Sequence, residues 1–276
     1  FMASLLALAA SFLWGTSDFE GGRLSRNHRP IAVLGMSQIF SLVFGLILVI
    51  VINEQPVGRG YLINGAIAGV VGYAGLALFY LALATGRMGV VSPIASLGAL
   101  IPFSVALIGG ERLSTIAMVG CGLALVGAFC ASGPEASQGL PLKPVLLSVL
   151  TALCFGVALV FMARGSDSSP LYTMVMMRIT TLVITIAIAA KLKTHKEFAV
   201  GDIPSLMFVG IADFLANLFL GIATQHGLMA IVMLLGGLSP IFTAFFAYRF
   251  LHERLHKIQY FGIVSAVAGV ALLSLQ

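Results

Sequence analysis

Two ionisable side chains interrupt long apolar runs of the sequence and could bind a charged ligand. Arg178 lies in the run that begins at Pro170, and Asp213 lies in "VGIADFLANLF", with Asn217 one helical turn later on the same face. Charges at such depth are costly unless they are paired or hydrated, so they mark candidate sites. We expect Asp213 to bind a cationic or zwitterionic ligand or a proton, and Arg178 to bind a carboxylate. The alternative is that the two charges only neutralise each other between neighbouring helices.

The stretch "FLWGTSDFEGG" places two more carboxylates near the end of an apolar run. Asp18 follows Trp14 by one helical turn, so a carboxylate and an aromatic ring share a face. If that face lines a cavity, the two side chains suit an amine or another cation through charge and cation–π contact. If it is the end of the helix, Asp18 is a solvated boundary residue, and both alternatives stay open. Glu20 is followed one turn later by Arg23, which predicts a surface pair.

Aromatic, amide and small residues supply further candidates for a cavity and its moving parts. The predicted additional lining residues are Gln38, Tyr73, Phe79, Tyr80, Asn217 and Gln225. Prolines and glycines interrupt two of the apolar runs and predict hinges, because proline removes a backbone hydrogen bond and kinks a helix. The hinge residues are Pro93, Pro102, Pro240, Gly236 and Gly237, with Gly98 nearby. The stripe Gly65, Gly69 and Gly72 is expected to permit close helix contacts and to do nothing else.

The composition identifies the elements that must hold these residues. Hydrophobic residues make up 59% of the 276 residues and charged residues only 9%, with a mean hydropathy of +1.07. A soluble domain would carry about 25% charge, so the sequence predicts an all-α polytopic membrane protein. We interpret the net charge of +5 as a topology signal rather than a nucleic-acid footprint, because the basic residues fall in short loops.

A helix that crosses a bilayer needs about 20 mainly apolar residues. The sequence predicts ten such spans, at approximately 3–22, 30–52, 61–85, 89–109, 114–132, 143–164, 170–190, 203–224, 229–250 and 257–275. The loops between them are too short to form domains. The candidate chemistry must therefore lie within the membrane-spanning helices.

An internal repeat organises the ten spans. The segments "ERLSTIAMVGCGLALVGAFCAS" and "ERLHKIQYFGIVSAVAGVALLS" align without a gap at a spacing of 142. The most informative identities are the Glu-Arg pairs that open both segments, and further matches lie in the earlier spans. The matched pairs are Glu111/Glu253, Arg112/Arg254, Gly120/Gly262, Gly127/Gly269, Trp14-Gly15/Phe155-Gly156 and Pro30/Pro170. Each half then holds five helices, and because five is odd the halves cross the membrane in opposite senses.

The repeat predicts the domain organisation as two inverted five-helix repeats around a central cavity. The first repeat covers 1–132, a connecting loop covers 133–142, and the second repeat covers 143–276.

These features resemble the drug/metabolite transporter superfamily and, within it, the EamA family of ten-helix bacterial transporters. The resemblance rests on the aromatic–Gly pair in the first helix of each half and on "GERL" or "HERL" after the fourth. The resemblance implies ten helices that surround a central cavity, in a protein that exports or imports small metabolites. The family often carries an arginine where Arg178 lies, whereas the first half carries Gln38 at the equivalent position, so the halves differ around the cavity.

We therefore expect a secondary active transporter that exports an amino acid or a related zwitterion by alternating access. The alternative is an exporter of cationic drugs or quaternary amines, which needs an unpaired carboxylate. The expected partners are a small-molecule substrate and the lipid bilayer, with a proton as a candidate coupling ion and no nucleic acid. The oligomeric state is expected to be a monomer or a weak homodimer.

Enzymatic chemistry is not expected. The five histidines fall in loops or at helix ends, and no nucleotide-binding loop is present in the sequence. We therefore predict no catalytic residues, no metal and no cofactor.

The loop charges predict the orientation in a bacterial cytoplasmic membrane. Eleven basic residues fall in loops and helix ends on one face, namely Arg23, Arg26, Arg29, Arg87, Lys143, Lys191, Lys193, Lys196, Arg249, Arg254 and Lys257. The face that holds both termini carries three, namely Arg59, Arg112 and Arg164. The positive-inside rule places the basic face in the cytoplasm and the termini outside it.

Overall fold

The computed structural model describes residues 2–86, 88–131, 142–192, 198–251 and 257–273. Within these ranges the regular structure is helical, with no strand. The α-helices are α1 (Met2–Asn27), α2 (Pro30–Ile52), α3 (Gly60–Thr85), α4 (Met88–Ser96), α5 (Leu100–Ile108), α6 (Thr115–Ala131), α7 (Leu142–Ser166), α8 (Pro170–Leu192), α9 (Ile203–His226), α10 (Met229–Gly236), α11 (Ser239–Leu251) and α12 (Lys257–Leu273). Short 3-10 turns cover Leu97–Ala99 and Val200–Asp202.

Proline and asparagine mark several helix ends. Pro30 opens α2 and Pro170 opens α8, where proline costs no hydrogen bond because the first-turn N–H groups have no partner in the helix. At the end of α2, Asn53 adopts the left-handed conformation with φ 49°, and its N–H donates to the carbonyl of Val49 at 3.0 Å. This is a common way to satisfy the last carbonyls of a helix.

Eight helical stretches within the described residues are long and apolar enough to cross a membrane. They are Met2–Asn27, Pro30–Ile52, Gly60–Thr85, Val90–Ile108, Leu142–Ser166, Pro170–Ile188, Val200–His226 and Met229–Phe250. Two shorter apolar helices, Thr115–Cys130 and Lys257–Leu273, lie at the predicted fifth and tenth spans. The polytopic helical architecture therefore agrees with the sequence, and the count of ten spans stays a prediction.

The helices pack as antiparallel pairs. Ser17 of α1 donates to the carbonyl of Val209 on α9, and Trp14 of α1 donates to Asp213 on α9, so the two helices run in opposite directions. Similar contacts join α2 with α8, α3 with α7, and α6 with α12. Large apolar side chains such as Ile50 remain exposed on the outer surface, as expected where lipid replaces water.

Two of the predicted spans are broken. The fourth consists of α4, the 3-10 turn and α5, with Pro93 inside α4, and the ninth consists of α10 and α11, with Pro240 as the second residue of α11. In a continuous helix the N–H groups that Pro102 and Pro240 lack would bond to the carbonyls of Gly98 and Gly236, so the helical hydrogen bonds are interrupted at the two breaks. The breaks lie next to each other, since a Cβ placed on Gly237 would lie 3.0 Å from the Cβ of Ala99.

Candidate functional site

A buried ion pair joins α8 and α9. The guanidinium nitrogen Nη2 of Arg178 lies 2.8 Å from Oδ2 of Asp213. Arg178 is only 2% exposed and Asp213 only 5%. The opposite charges predicted to face each other at matching depth are therefore in direct contact.

The Asp213 carboxylate accepts hydrogen bonds from side chains of four helices. Oδ1 accepts from Nε1 of Trp14 at 3.2 Å and from Nδ2 of Asn217 at 3.1 Å. Oδ2 accepts from Arg178 at 2.8 Å and from Nε2 of Gln38 at 3.4 Å. A carboxylate offers about four lone-pair positions, so these four donors occupy all of them. Asp213 thus ties α1, α2, α8 and α9 together.

The hydrogen bonds of Arg178 are less complete. Its Nη1 donates to Oε1 of Gln38 at 2.9 Å, and its Nη2 donates to Asp213. Within the described residues, its buried Nε has no hydrogen-bond partner. A guanidinium has five N–H donors, so Arg178 keeps donors that a ligand could use after a small shift.

These residues open onto a cavity in the middle of the helices. Side chains from α1, α3, α7, α8 and α9 line it, together with the broken spans. Its polar lining, as we call it, consists of Trp14, Asp18, Arg178, Asp213 and Asn217, and most of the remaining lining is apolar. An apolar cavity with a few convergent polar groups is the usual form of a small-molecule site.

Asp18 is the second carboxylate of the cavity. Because α1 continues to Asn27, Asp18 lies within the helix rather than at its end. It shares the cavity-facing side of α1 with Trp14. Neither a hydrogen bond nor an ion pair joins its carboxylate to another described residue, in contrast to the four bonds accepted by Asp213.

The comparisons with known proteins identify the family. The model of the EamA-like transporter family matches residues 1–133 and again residues 142–275. The chain belongs to the EamA-like transporter family. It is therefore a multi-pass membrane transporter of the drug/metabolite type, which takes a small-molecule substrate.

Two further proteins are similar to this EamA-family chain. An uncharacterized protein of Methanocaldococcus jannaschii is 28% identical over 134 residues, which cover 48% of this chain and 96% of that protein. A crystal structure with 17% sequence identity matches with a TM-score of 0.77, covering 99% of this chain and 96% of the other. At that identity the crystal structure supports the fold alone.

The EamA-family cavity contains most, but not all, of the side chains predicted to line it. Trp14, Asp18, Tyr73, Phe79, Arg178, Asp213 and Asn217 line it. Gln38 lies outside the lining and supports Arg178 and Asp213 through hydrogen bonds. Tyr80 and Gln225 also lie outside the lining. Tyr80 is buried against Gly21, because its ring fills the space beside that glycine, and Gln225 donates to the carbonyl of Ser166.

The glycine stripe of α3 also departs from expectation. A Cβ on Gly65 or Gly69 would meet the backbone of α8, as predicted for close helix contacts. Gly72, like Gly69, also lines the cavity. The expectation that this stripe serves only helix contact therefore does not hold at Gly72, where a Cβ would meet only the Cβ of Ala158 on α7.

The predicted hinge residues lie at or beside the breaks of the two spans. Gly236 ends α10, and Gly237 lies in the turn before α11. Gly236 and Gly237 line the cavity as well, so a change at this break would alter the cavity directly. Their role as hinges stays a prediction.

Sequence reasoning missed the function of Glu111. Its two carboxylate oxygens accept the N–H groups of Met229 and Ala230 at 2.9 and 3.0 Å. These N–H groups open α10 and have no partner within the helix. The repeated Glu-Arg pair was the signal that singled out this residue, but the sequence did not indicate which helix it would cap.

Proposed function

We propose that the protein is a secondary active transporter that exports an amino acid or a related small zwitterion across the bacterial cytoplasmic membrane. The observation that carries this proposal is the presence of Asp18, without a partner among the described residues, and of Arg178, with unused donors, in one apolar cavity. A substrate with an ammonium and a carboxylate can bind both groups. Its apolar portion can then contact the rest of the lining.

The binding mode follows from the charges. The ammonium group binds the Asp18 carboxylate and the face of Trp14, which adds a cation–π contact. The carboxylate binds the Arg178 guanidinium through the N–H donors that Gln38 and Asp213 leave unused, a charge-assisted interaction. Asp213 and Asn217 line the same cavity, and Asp213 neutralises and orients Arg178.

The transport cycle that we propose uses two inverted repeats, 1–132 and 143–276, joined by 133–142, with ten spans in all. Three observations support this organisation: the family model matches the chain twice, a relative of half the length aligns over 96% of itself, and the helices pack as antiparallel pairs. In this scheme the broken spans act as the moving parts of alternating access. The hinge residues are Pro93, Pro102, Pro240, Gly236 and Gly237.

Spin labels on α4 and α10 test the hinges. We expect the distance distribution between these labels to change when substrate is added. An unchanged distribution there, together with large changes between α6 and α12, would count against the assignment.

A cationic drug or quaternary amine is the second candidate substrate. The observation that favours it is again Asp18, since Arg178 and Asp213 already pair with each other and Asp18 is the carboxylate of the polar lining that remains available to a cation. An exporter of this kind needs Asp18 and Trp14 but has no use for the unused donors of Arg178.

Uptake into proteoliposomes decides between the two substrates. Uptake of amino acids and of organic cations is measured for the wild type, Asp18→Asn and Arg178→Gln. Asp167→Asn is the control, because Asp167 is exposed in the turn after α7. A zwitterion requires both Asp18 and Arg178, whereas a cation requires Asp18 alone. Absence of uptake for every amino acid would sink the proposal. An imposed pH gradient that drives uptake would assign the proton as the coupling ion.

The orientation is tested separately. We propose that both termini lie outside the cytoplasm, from the bias of eleven basic residues against three. A reporter fusion at Gln276 should give active alkaline phosphatase. A fluorescent fusion to green fluorescent protein, together with an inactive alkaline phosphatase fusion, would contradict this orientation.

A further inference from the structure

Two helix crossings beside the cavity use the same backbone contact. On α9, Gly210 lies against the carbonyl of Ser37 on α2. On α3, Gly69 lies against the carbonyl of Met177 on α8. In each case only a glycine allows the helices to come this close.

Three residues beyond each glycine, the two helices carry different side chains. On α9 this residue is Asp213, whose carboxylate is surrounded by four hydrogen-bond donors. On α3 it is Gly72, which has no side chain. A Cβ placed on Gly72 would lie 3.6 Å from the Cβ of Ala158, and no other described atom outside its helix lies within 4 Å.

The space beside Gly72 belongs to the cavity and is bordered by apolar side chains. This apolar lining, as we call it, consists of Gly72, Leu76, Phe155, Ala158 and Leu159. The ring of Phe155 packs edge-on against Phe79, with centroids 5.7 Å apart. A packed ring does not move aside freely, so the space is open because residue 72 has no side chain.

We infer that Gly72 is a specificity-determining residue, which sets the size of the apolar group that the substrate can place beside Phe155 and Ala158. This inference rests on the proposed transport of a zwitterion, and it adds the location of the substrate's apolar group. The polar lining binds the charged groups. The apolar lining then selects the substrate by the volume that it leaves free.

Transport of an amino-acid series tests the inference. Gly72→Ala and Gly72→Val are reconstituted with alanine, valine, leucine and phenylalanine as substrates. A single methylene in an apolar pocket discriminates roughly 10-fold or more. We therefore expect Gly72→Val to lower kcat/KM for phenylalanine by about tenfold and for alanine by less than about twofold, with Gly72→Ala in between.

The matched control is Gly122→Val on α6. Gly122 is exposed, and a Cβ there would meet no described atom within 4 Å. It carries the same change in helix propensity without touching the cavity, so its substrate profile should equal that of wild type. An equal decrease for all four amino acids in Gly72→Val, or no decrease for any, would overturn the inference.

Cysteine labelling separates this inference from the proposed function. If wild type transports none of the amino acids, the proposed substrate class is wrong, and the inference is then decided by labelling. Gly72→Cys should react with a small water-soluble methanethiosulfonate at least about tenfold faster than the native thiol of Cys121, because Cys121 is buried and burial slows thiol modification. Reaction with a reagent bearing a bulky aromatic group should be slower. An unreactive Gly72→Cys would show that the space is closed and would overturn the inference.

Discussion

The polar lining holds a carboxylate that accepts four hydrogen bonds from four helices. The apolar lining, by contrast, presents Gly72 and leaves the space beside it open. Both linings follow from a close approach of two helices at a glycine, Gly210 in the first case and Gly69 in the second. The backbone framework is alike, and the side chains three residues later differ.

The difference shows how one cavity can orient its substrate. A buried charge costs free energy unless it is paired and hydrogen-bonded, so a second polar network would need its own set of partners. Concentrating the charges in the polar lining leaves the rest of the cavity apolar. A zwitterion with an apolar group then has one favourable orientation.

The largest expected effect comes from removing the charge of Asp213. Asp213→Asn leaves Arg178 buried and unpaired, which costs about 3–5 kcal/mol of stability. It also places an amide N–H₂ among donors that need an acceptor. We expect a large loss of thermal stability in detergent together with loss of transport.

The double variant Asp213→Asn/Arg178→Gln separates structure from function. Removing both charges should restore most of the thermal stability. Transport should remain absent, because the group that we propose to bind the substrate carboxylate is gone. Recovery of transport together with stability would refute a role of the pair in substrate binding.

A smaller effect is expected from Trp14→Phe, which keeps a ring and removes one donor to Asp213. A hydrogen bond to a charged group contributes about 1.5–3 kcal/mol. The loss of thermal stability caused by Trp14→Phe should be smaller in the Asp213→Asn/Arg178→Gln background, because the charged acceptor is absent there. Phe155→Leu, in the apolar lining, should cost the same in both backgrounds. Equal losses for Trp14→Phe in the two backgrounds would contradict the network.

Much of the architecture could be predicted because composition and apolar run length determine which segments enter a bilayer. The contact of Arg178 with Asp213 was predictable as well, since both depths follow from the helix rise. The role of Gln38 could not be predicted, because Gln38 lies 175 residues from Asp213 in the sequence and its orientation depends on packing. The burial of Tyr80 against Gly21 could not be predicted for the same reason, since a tyrosine on a helix can point into a cavity or against a glycine.

The glycines of α3 show this limit most clearly. Gly69 and Gly72 are identical residues that lie one turn apart on the same face. Whether each meets backbone or empty space depends on where α7 and α8 cross α3. No sequence pattern indicates where these helices cross α3.

The same substitution, glycine to alanine, is expected to change the stability in opposite directions at Gly69 and at Gly72. A Cβ on Gly69 would lie 2.7 Å from the carbonyl oxygen of Met177, so Gly69→Ala should destabilise the protein by about 1–3 kcal/mol. Gly210→Ala should do the same against Ser37. Gly72→Ala should be neutral or stabilising by up to about 1 kcal/mol, because alanine favours a helix over glycine. Thermal unfolding of the three variants checks the signs, and a destabilising Gly72→Ala would contradict the open space.

The smallest expected effect concerns Glu111, which lies outside both linings and holds the start of α10. The broken span ends at Gly236 and Gly237 in the cavity, so the anchoring of its first turn affects where that end lies. Glu111→Gln keeps one oxygen acceptor and removes the charge that faces the helix N-terminus, an interaction that contributes about 0.3–1 kcal/mol. We expect a small decrease in thermal stability, and Glu54→Gln serves as the control because Glu54 is an exposed carboxylate. If α10 moves as a unit during transport, Glu111→Gln should change the rate of transport more than its KM. A change confined to KM would mean that the first turn of α10 only shapes the cavity.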